Sequence, residues 1–192
     1  MNTPNTQKKF LSNIVDYVEL IVIAVCLVIG IFSLAFRTCT VDGNSMNNTM
    51  LDQEVIIVSD MFYSPERYDI IVFHQTDNTN NLNRNKPLVK RVIGVGGDTV
   101  KIDYDTWTVT VTDKNGETTV LDEDYIYLSQ RGSIFSGTRE YVVPEGSLFV
   151  LGDNRNESLD SRYSEVGFVD QRRVLGKVVL RVSPMSKFGT VD

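Results

Sequence analysis

Ser45 stands in the stretch Val41-Asp-Gly-Asn-Ser-Met46, Lys90 in Val89-Lys-Arg-Val-Ile-Gly94, and a third polar stretch, Gly152-Asp-Asn-Arg-Asn-Glu-Ser-Leu-Asp-Ser-Arg162, follows them. A serine hydroxyl is a weak nucleophile until a neighbouring base takes its proton, and a lysine amine can be that base once it is neutral. The single histidine, His74, opens a polar loop after an apolar run and reads as a surface residue, so a serine–histidine–aspartate triad fits poorly. Two cysteines and one histidine make neither a metal set nor a disulfide framework, and no cofactor or metal is expected. Cys26 and Cys39 are 13 residues apart, about 20 Å along a helix, too far to pair.

A lysine at its reference pKa of about 10.4 is charged at neutral pH and useless as a base. Burial and nearby positive charge push the value toward the ~7–8 that serves catalysis. On a strand, Leu88, Lys90 and Val92 share one face, which sets the amine among apolar side chains while Arg91 points to the other side. A buried Arg91 needs a carboxylate, and the Gly152 segment offers Asp153. Ser45 follows Gly43-Asn44 in a setting for a tight loop that exposes a hydroxyl. Its own backbone N–H is the natural first donor to the oxyanion of a tetrahedral intermediate.

The elements that must position these residues are mostly strands. Glu54–Val58, Asp69–Phe73 and Leu88–Val95 are apolar, β-branched runs, with a Ser64-Pro65 turn between the first two and an asparagine-rich polar loop, Asp77–Pro87, before the third. Val100–Ile102, Trp107–Val111 and Thr118–Leu121 then alternate, with Asn115-Gly116 as a hairpin turn, and the stretch of about 98–141 reads as a smaller β insert. Ser147–Leu151 delivers the Gly152 segment, and Val174–Val182 supplies a final strand.

The 192 residues suffice for one domain with an elaborated insert. A net charge of -6 gives no footprint for nucleic acid and argues against broad adhesion to anionic lipid, so membrane attachment has to come from apolar sequence. Leu20–Phe36 carries no charge, and Tyr17 and Val18 extend it past Glu19 to about 20 residues, enough to cross ~30 Å of hydrocarbon as a helix. It is longer than the apolar part of a cleaved leader, and Phe36-Arg-Thr-Cys39 closes it without a small-residue cleavage pattern, so a retained anchor is the better reading. Lys8 and Lys9 precede it and Arg37 follows, which favours a cytoplasmic N-terminus. The expected organisation is a cytoplasmic segment 1–16, a transmembrane helix 17–36 and an extracytoplasmic catalytic part 37–192.

These three segments in this order, downstream of an anchor and with the Arg67-Tyr-Asp-Ile-Ile-Val-Phe73 strand between the first two, resemble the type I signal peptidases of bacteria. The resemblance implies a mainly β peptidase body with a smaller β insert on one N-terminal helix, with Ser45 as nucleophile and Lys90 as base. It also implies Arg91–Asp153 and Asp160–Arg162 ion pairs and a Ser158 hydroxyl that orients the lysine amine. Three positions depart from the family's pattern. Gly43 stands where some members have a hydroxyl as second oxyanion donor, leaving that role to a backbone amide or a water. Asn48 replaces a usual proline, and Asn156 stands where an acidic residue is common.

Nine residues separate Phe36 from Ser45, a reach of at most ~30 Å, so the hydroxyl has to work near the outer membrane surface. A translocating preprotein, with its apolar segment in the bilayer, fits that height, and the lipid bilayer and the export translocon are the other expected partners. The resemblance adds that the peptide binds extended, with small side chains at the residue before the scissile bond and the one two further back. Val41, Met46, Met50, Leu88 and Val89 are candidates to line its shallow pockets or equally to be core. Two rivals stand beside this reading. A self-cleaving repressor shares the Ser-Lys pair but needs a DNA-binding module and commonly an Ala-Gly site, whereas the alanines here, Ala24 and Ala35, precede Val25 and Phe36. A non-catalytic or specialised peptidase-like membrane protein could assist surface-protein assembly without needing Ser45 and Lys90.

Overall fold

The computed structural model describes residues 4–75, 87–129 and 134–191. The asparagine-rich stretch up to Lys86 lies outside them. The chain divides into two compact units, Met1–Arg37 and Thr38–Asp192.

The first unit is helix α1, Pro4–Ala35. It starts well before Tyr17, where the expected membrane span begins, because a proline at the first helical position is already preset for the helix and nothing in the polar residues after it breaks one. Its stretch Asn13–Ser33 has a mean hydropathy of 2.6 over 21 residues, long and apolar enough to cross a membrane, and its apolar side chains stand exposed. The helix ends one residue short of the expected 36. Phe36 instead opens strand β1, Phe36–Thr40, where aromatic and threonine residues favour extended backbone.

The second unit is mainly β. One sheet has seven strands in the order β1-β2-β11-β3-β4-β9-β10, where β2 is Val55–Ser59, β3 Ile70–His74, β4 Pro87–Val95, β9 Ser147–Leu151, β10 Val169–Asp170 and β11 Val174–Ser183. The other has four, β7-β6-β5-β8, made of β5 Thr99–Asp103, β6 Thr108–Thr112, β7 Thr118–Val120 and β8 Thr138–Val142. The chain enters the small sheet after β4 and returns to the large one at β9.

Burial explains the arrangement. β3 is apolar on both sides: Ile70 and Val72 join a cluster with Val41, Met46, Met50, Ile56, Val58 and Val178, while Ile71 and Phe73 join Val92, Leu148, Val150 and Val169. A strand with no polar side has to lie inside its sheet. In the small sheet, β6 alternates strictly: Val109 and Val111 are buried with Val100, Ile102, Phe149 and Leu151, and Thr108, Thr110 and Thr112 line the opposite, open face with Thr99 and Lys101. The turn from β6 to β7 is held by Asp113, whose carboxylate accepts the Asn115 and Glu117 N–H groups at 2.8 and 2.9 Å, with Gly116 at φ 85°.

Gly176 is where β11 passes from one neighbour to the next, pairing with Val72 of β3 just before Lys177 meets Ser59 of β2. Its φ is 144°, and a Cβ there would lie 2.5 Å from the Ser59 carbonyl carbon and 2.9 Å from the Asp60 nitrogen. Gly176→Ala is expected to cost roughly 2–4 kcal/mol, from backbone strain plus forced separation of β11 and β2. Thermal unfolding in detergent should show Tm lowered by several degrees; an unchanged Tm would mean this contact relaxes freely.

Candidate active site

Lys90 is the fourth residue of β4, opposite Ile71 of β3, and only 2% exposed. Its Nζ lies 2.8 Å from Ser45 Oγ and 2.8 Å from the Val89 carbonyl oxygen. Burial pushes its pKa down to about 8, assisted by the Arg162 charge and opposed by Asp160 and Asp153. Among the described residues no carboxylate lies within ion-pair distance of it, because the acids nearby are committed elsewhere.

Asp153 takes a fork from Arg91, at 2.9 Å from Nε and 2.8 Å from Nη2, and the Thr49 hydroxyl at 2.5 Å. Asp160 takes Arg162 Nε at 2.7 Å and Nη2 at 2.8 Å, and the Gly152 N–H at 3.0 Å. All four of these ion-pair side chains are buried. Burial alone would lower both arginines, but their carboxylate partners prevail and hold the guanidinium pKa values above the usual one. Arg91 also sits 3.9 Å over the Tyr125 ring. The fork geometry matters here, since a buried charge is costly unless it is paired.

The loop that carries Ser45 is fixed from two sides. The Gly43 N–H donates to Asp52 Oδ1 at 2.8 Å, with Gly43 at φ 99°, so this amide is occupied. Asn154 donates its backbone N–H to the Ser45 carbonyl at 3.0 Å and its Nδ2 to the Asn44 carbonyl at 3.0 Å. Arg91 pairs with Leu151 across β4 and β9, so Lys90 and Gly152 occupy the next position of the two chains. The missing side chain at Gly152 leaves the space that the Ser45 carbonyl oxygen and the Ser158 side chain fill; a Cβ would collide with both.

The Ser158 hydroxyl is buried beside this point without a hydrogen-bond partner, and the bond to the lysine amine expected of it is not made. Ser161 has a different role, its hydroxyl accepting the Val150 N–H at 2.9 Å and its own N–H bonding the Val150 carbonyl. Of the residues considered for substrate pockets, Val41, Met46 and Met50 are closed into the core and Leu88 packs on the other face of the sheet beside Ile71 and Phe73. Val89 lines an open groove with Cys39, Thr40, Asp42, Gln53, Val72 and Pro87. A second groove runs along Asn44, Asn156, Glu157, Ser158, Leu159 and Tyr163. His74 is exposed at the end of β3. Asn156 donates to the Ser129 carbonyl at 3.0 Å, and Asn48 is exposed.

Sequence reasoning missed Asn154, Thr49 and Asp52. Asn154 lies in a singled-out stretch, but turn composition accounted for it equally well. Thr49 and Asp52 carry no local signal, since their partners are 104 and 9 residues away.

The sequence matches one protein-family model and several known proteins. The family model described as signal peptidase, peptidase S26, matches residues 14–183. The chain is 31% identical over 189 residues to a signal peptidase IB of Staphylococcus aureus, covering 91% of this chain and 92% of the relative. It is 34% identical over 174 residues to a probable signal peptidase I-2 of Synechocystis, covering 88% and 72%. A crystal structure of a signal peptidase I from Enterococcus faecalis is 32% identical, covering 61% of this chain and 98% of that one with a TM-score of 0.46. A serine and a lysine in contact within a mainly β body thus coincide with a match over most of the sequence, and the chain belongs to the signal peptidase family, peptidase S26.

Keeping Lys90 buried costs stability. Its folded pKa of about 8 lies below the ordinary 10.5, so the folded state gives up the proton first and the penalty is largest below pH 8, shrinking as pH rises from 8 to 10.5. Lys90→Met, which fills the same space without the amine, is expected to be more stable at pH 7 by up to about 3 kcal/mol, with the advantage fading toward pH 10. Thermal unfolding of both proteins across that range measures it, and a Lys90→Met protein less stable at pH 7 would refute the buried-charge penalty.

Proposed function

We propose that this chain is a membrane-bound serine endopeptidase that removes signal peptides from exported preproteins through Ser45 and Lys90. The observation that carries this reading is the 2.8 Å contact between the Ser45 hydroxyl and the amine of a buried lysine. In the first step neutral Lys90 accepts the Ser45 proton as Oγ attacks the scissile carbonyl carbon, and the electron pair of that C=O moves onto its oxygen. The Ser45 N–H, which no described group accepts, is free to donate to this oxyanion. Gly43 offers no side chain and its amide is held by Asp52, so the second donor is a water or another backbone amide.

Collapse of the intermediate breaks the C–N bond, and the Lys90 ammonium gives its proton to the leaving amine. Water, deprotonated by Lys90, then hydrolyses the acyl-enzyme and returns the proton to Ser45. The buried, partnerless Ser158 hydroxyl is the candidate to orient the amine, which as a neutral base has N–H groups to spare once it accepts from Ser45. The buried Arg91–Asp153 and Asp160–Arg162 pairs hold the strand end and the Gly152 segment in register.

The apolar helix provides the anchor, and the lysines ahead of it favour a cytoplasmic N-terminus with Ser45 close to the outer surface of the plasma membrane. The substrate is a secretory preprotein presented there, with small residues one and three positions before the cut, and the translocon is the natural source of such chains. The groove beside Val89 and Val72 is the place for the extended peptide.

Preprotein cleavage in detergent or proteoliposomes tests the reading. Ser45→Ala and Lys90→Arg should each abolish cleavage while the protein stays folded, since a guanidinium does not deprotonate. Cleavage surviving in Lys90→Arg would eliminate the lysine base. In the wild type kcat/KM should fall about tenfold per pH unit below the lysine pKa, with the limb centred near 8, and a flat profile from pH 6 to 9 would contradict it. Ser158→Ala should lower kcat by one to several orders of magnitude with KM little changed, and Ser161→Ala should be milder.

A further inference from the structure

The stretch Leu121–Ser129, which leaves the small sheet after β7, runs beside the Gly152 segment and is bonded to it at several points. The Tyr127 N–H donates to the Asp153 carbonyl at 2.8 Å, and the Arg155 N–H donates back to the Tyr127 carbonyl at 3.0 Å. Arg155 is the largest fully buried side chain of the molecule's described residues. Its guanidinium forks onto Glu123, at 2.5 Å from Nη2 and 3.1 Å from Nη1, while Nε donates to the Gly152 carbonyl at 3.3 Å. Glu123 is itself 95% buried on its side chain's measure, with 5% exposed, and also accepts the Tyr125 hydroxyl at 2.7 Å. The Tyr125 ring is the one over which Arg91 lies at 3.9 Å.

These contacts converge on the nucleophile. Asn154, which the Tyr127 strand-like pairing brackets on both sides, is the residue whose N–H and Nδ2 hold the carbonyls of Ser45 and Asn44. Gly152, gripped through its carbonyl by Arg155, leaves the space in which Ser45 and Ser158 meet. We propose that Glu123, with Tyr125, is a positioning residue for the Ser45–Lys90 chemistry, acting through Arg155 and Arg91 to fix the Gly152 segment against the nucleophile loop. The inference rests on the functional reading above. It adds to the three motif segments a fourth, supplied by the chain that links β7 to β8.

The charge at Glu123 is what the role requires. Without it Arg155 is a buried cation with one carbonyl contact from its Nε, and it can stay only by drawing in water or by pulling on Asp153, which Arg91 already uses. Either response displaces the segment, and displacement of a catalytic group by about 1 Å can cost a hundredfold in rate.

The test uses the full chain in detergent, with Glu123→Gln, Tyr125→Phe and, as control, Arg172→Ala, which removes a well-exposed ion pair with Asp170. Below the unfolding temperature of each variant, Glu123→Gln should lower kcat on a preprotein about 10–100-fold with KM within about threefold, and Tyr125→Phe should lower kcat by a smaller factor. Arg172→Ala should match wild type. In Glu123→Gln the loss on adding Ser158→Ala should be less than the product of the single losses, since both act on placement of the same two groups. Hydrogen exchange at the Asn154 and Met50 amides should accelerate in Glu123→Gln while exchange in β3 does not. A variant with lowered Tm but wild-type kcat, or with exchange raised equally everywhere, assigns Glu123 a purely structural part and overturns the proposal. Should Glu123→Gln fail to fold, a wild-type kcat in Tyr125→Phe overturns it and a reduced kcat at unchanged KM supports it. Should the wild type leave preproteins uncut, the functional reading falls, and the exchange measurement decides the positioning by itself.

Discussion

Everything around Ser45 follows from the burial of one amine. A lysine serves as a base only if it is neutral, and it is neutral only if water and carboxylates are kept from it. The polar residues of the site satisfy that condition by pairing among themselves. Three buried arginines, Arg91, Arg155 and Arg162, each hold one buried carboxylate in a fork, Asp153, Glu123 and Asp160. The lysine is the cation left over. Arginine suits this task because its charge cannot be titrated away, so these forks persist while Lys90 responds to pH.

The fold supplies the rigidity such a set of charges needs. Lys90 and Arg91 are neighbours on β4, a strand flanked on both sides in the large sheet, and their side chains depart to opposite faces. The two other components are loops, the turn around Ser45 and the segment after β9, and loops are placed by what they bond to. Asn154 ties one to the other, and Gly152 permits the close approach. Strand and loops therefore divide the work: the strand sets where the lysine amine is, and the loop-to-loop bonds bring the serine hydroxyl to it.

Much of this was legible in the residues. The apolar span, the strands β2, β3, β4, β5, β6, β7, β9 and β11, and the serine and lysine that meet at 2.8 Å were all read from local pattern and order. β1, β8 and β10 were not. β1 follows an apolar helix with no punctuation between them, β8 is a mostly exposed edge carrying Arg139 and Glu140, and β10 is two residues long. An exposed strand gives no burial signal and is found only when a turn marks it, as Asn115-Gly116 marks β7. For the site, side chains that act alone or with a sequence neighbour could be found, whereas Glu123, Tyr125, Thr49 and Asp52 draw their meaning from partners that only the fold delivers. For the pocket candidates the two readings left open are told apart only by the fold: Val41, Met46 and Met50 have the character to line an apolar groove, and the same character took them into the core, while Val89 lines a groove.

The small sheet has a bearing on how this molecule ages and fails. Its chain between β7 and β8 carries the partner of Arg155, so the atoms that hold the Gly152 segment are shared between two bodies of unequal robustness. β7 has three residues, all exposed, and ends the sheet. Such an edge frays at a free energy well below that of global unfolding. On the proposed role of Glu123, opening of this peripheral edge would free the carboxylate partner of Arg155 while the large sheet is still folded, so the site's durability would be set in an exposed edge strand rather than in the core.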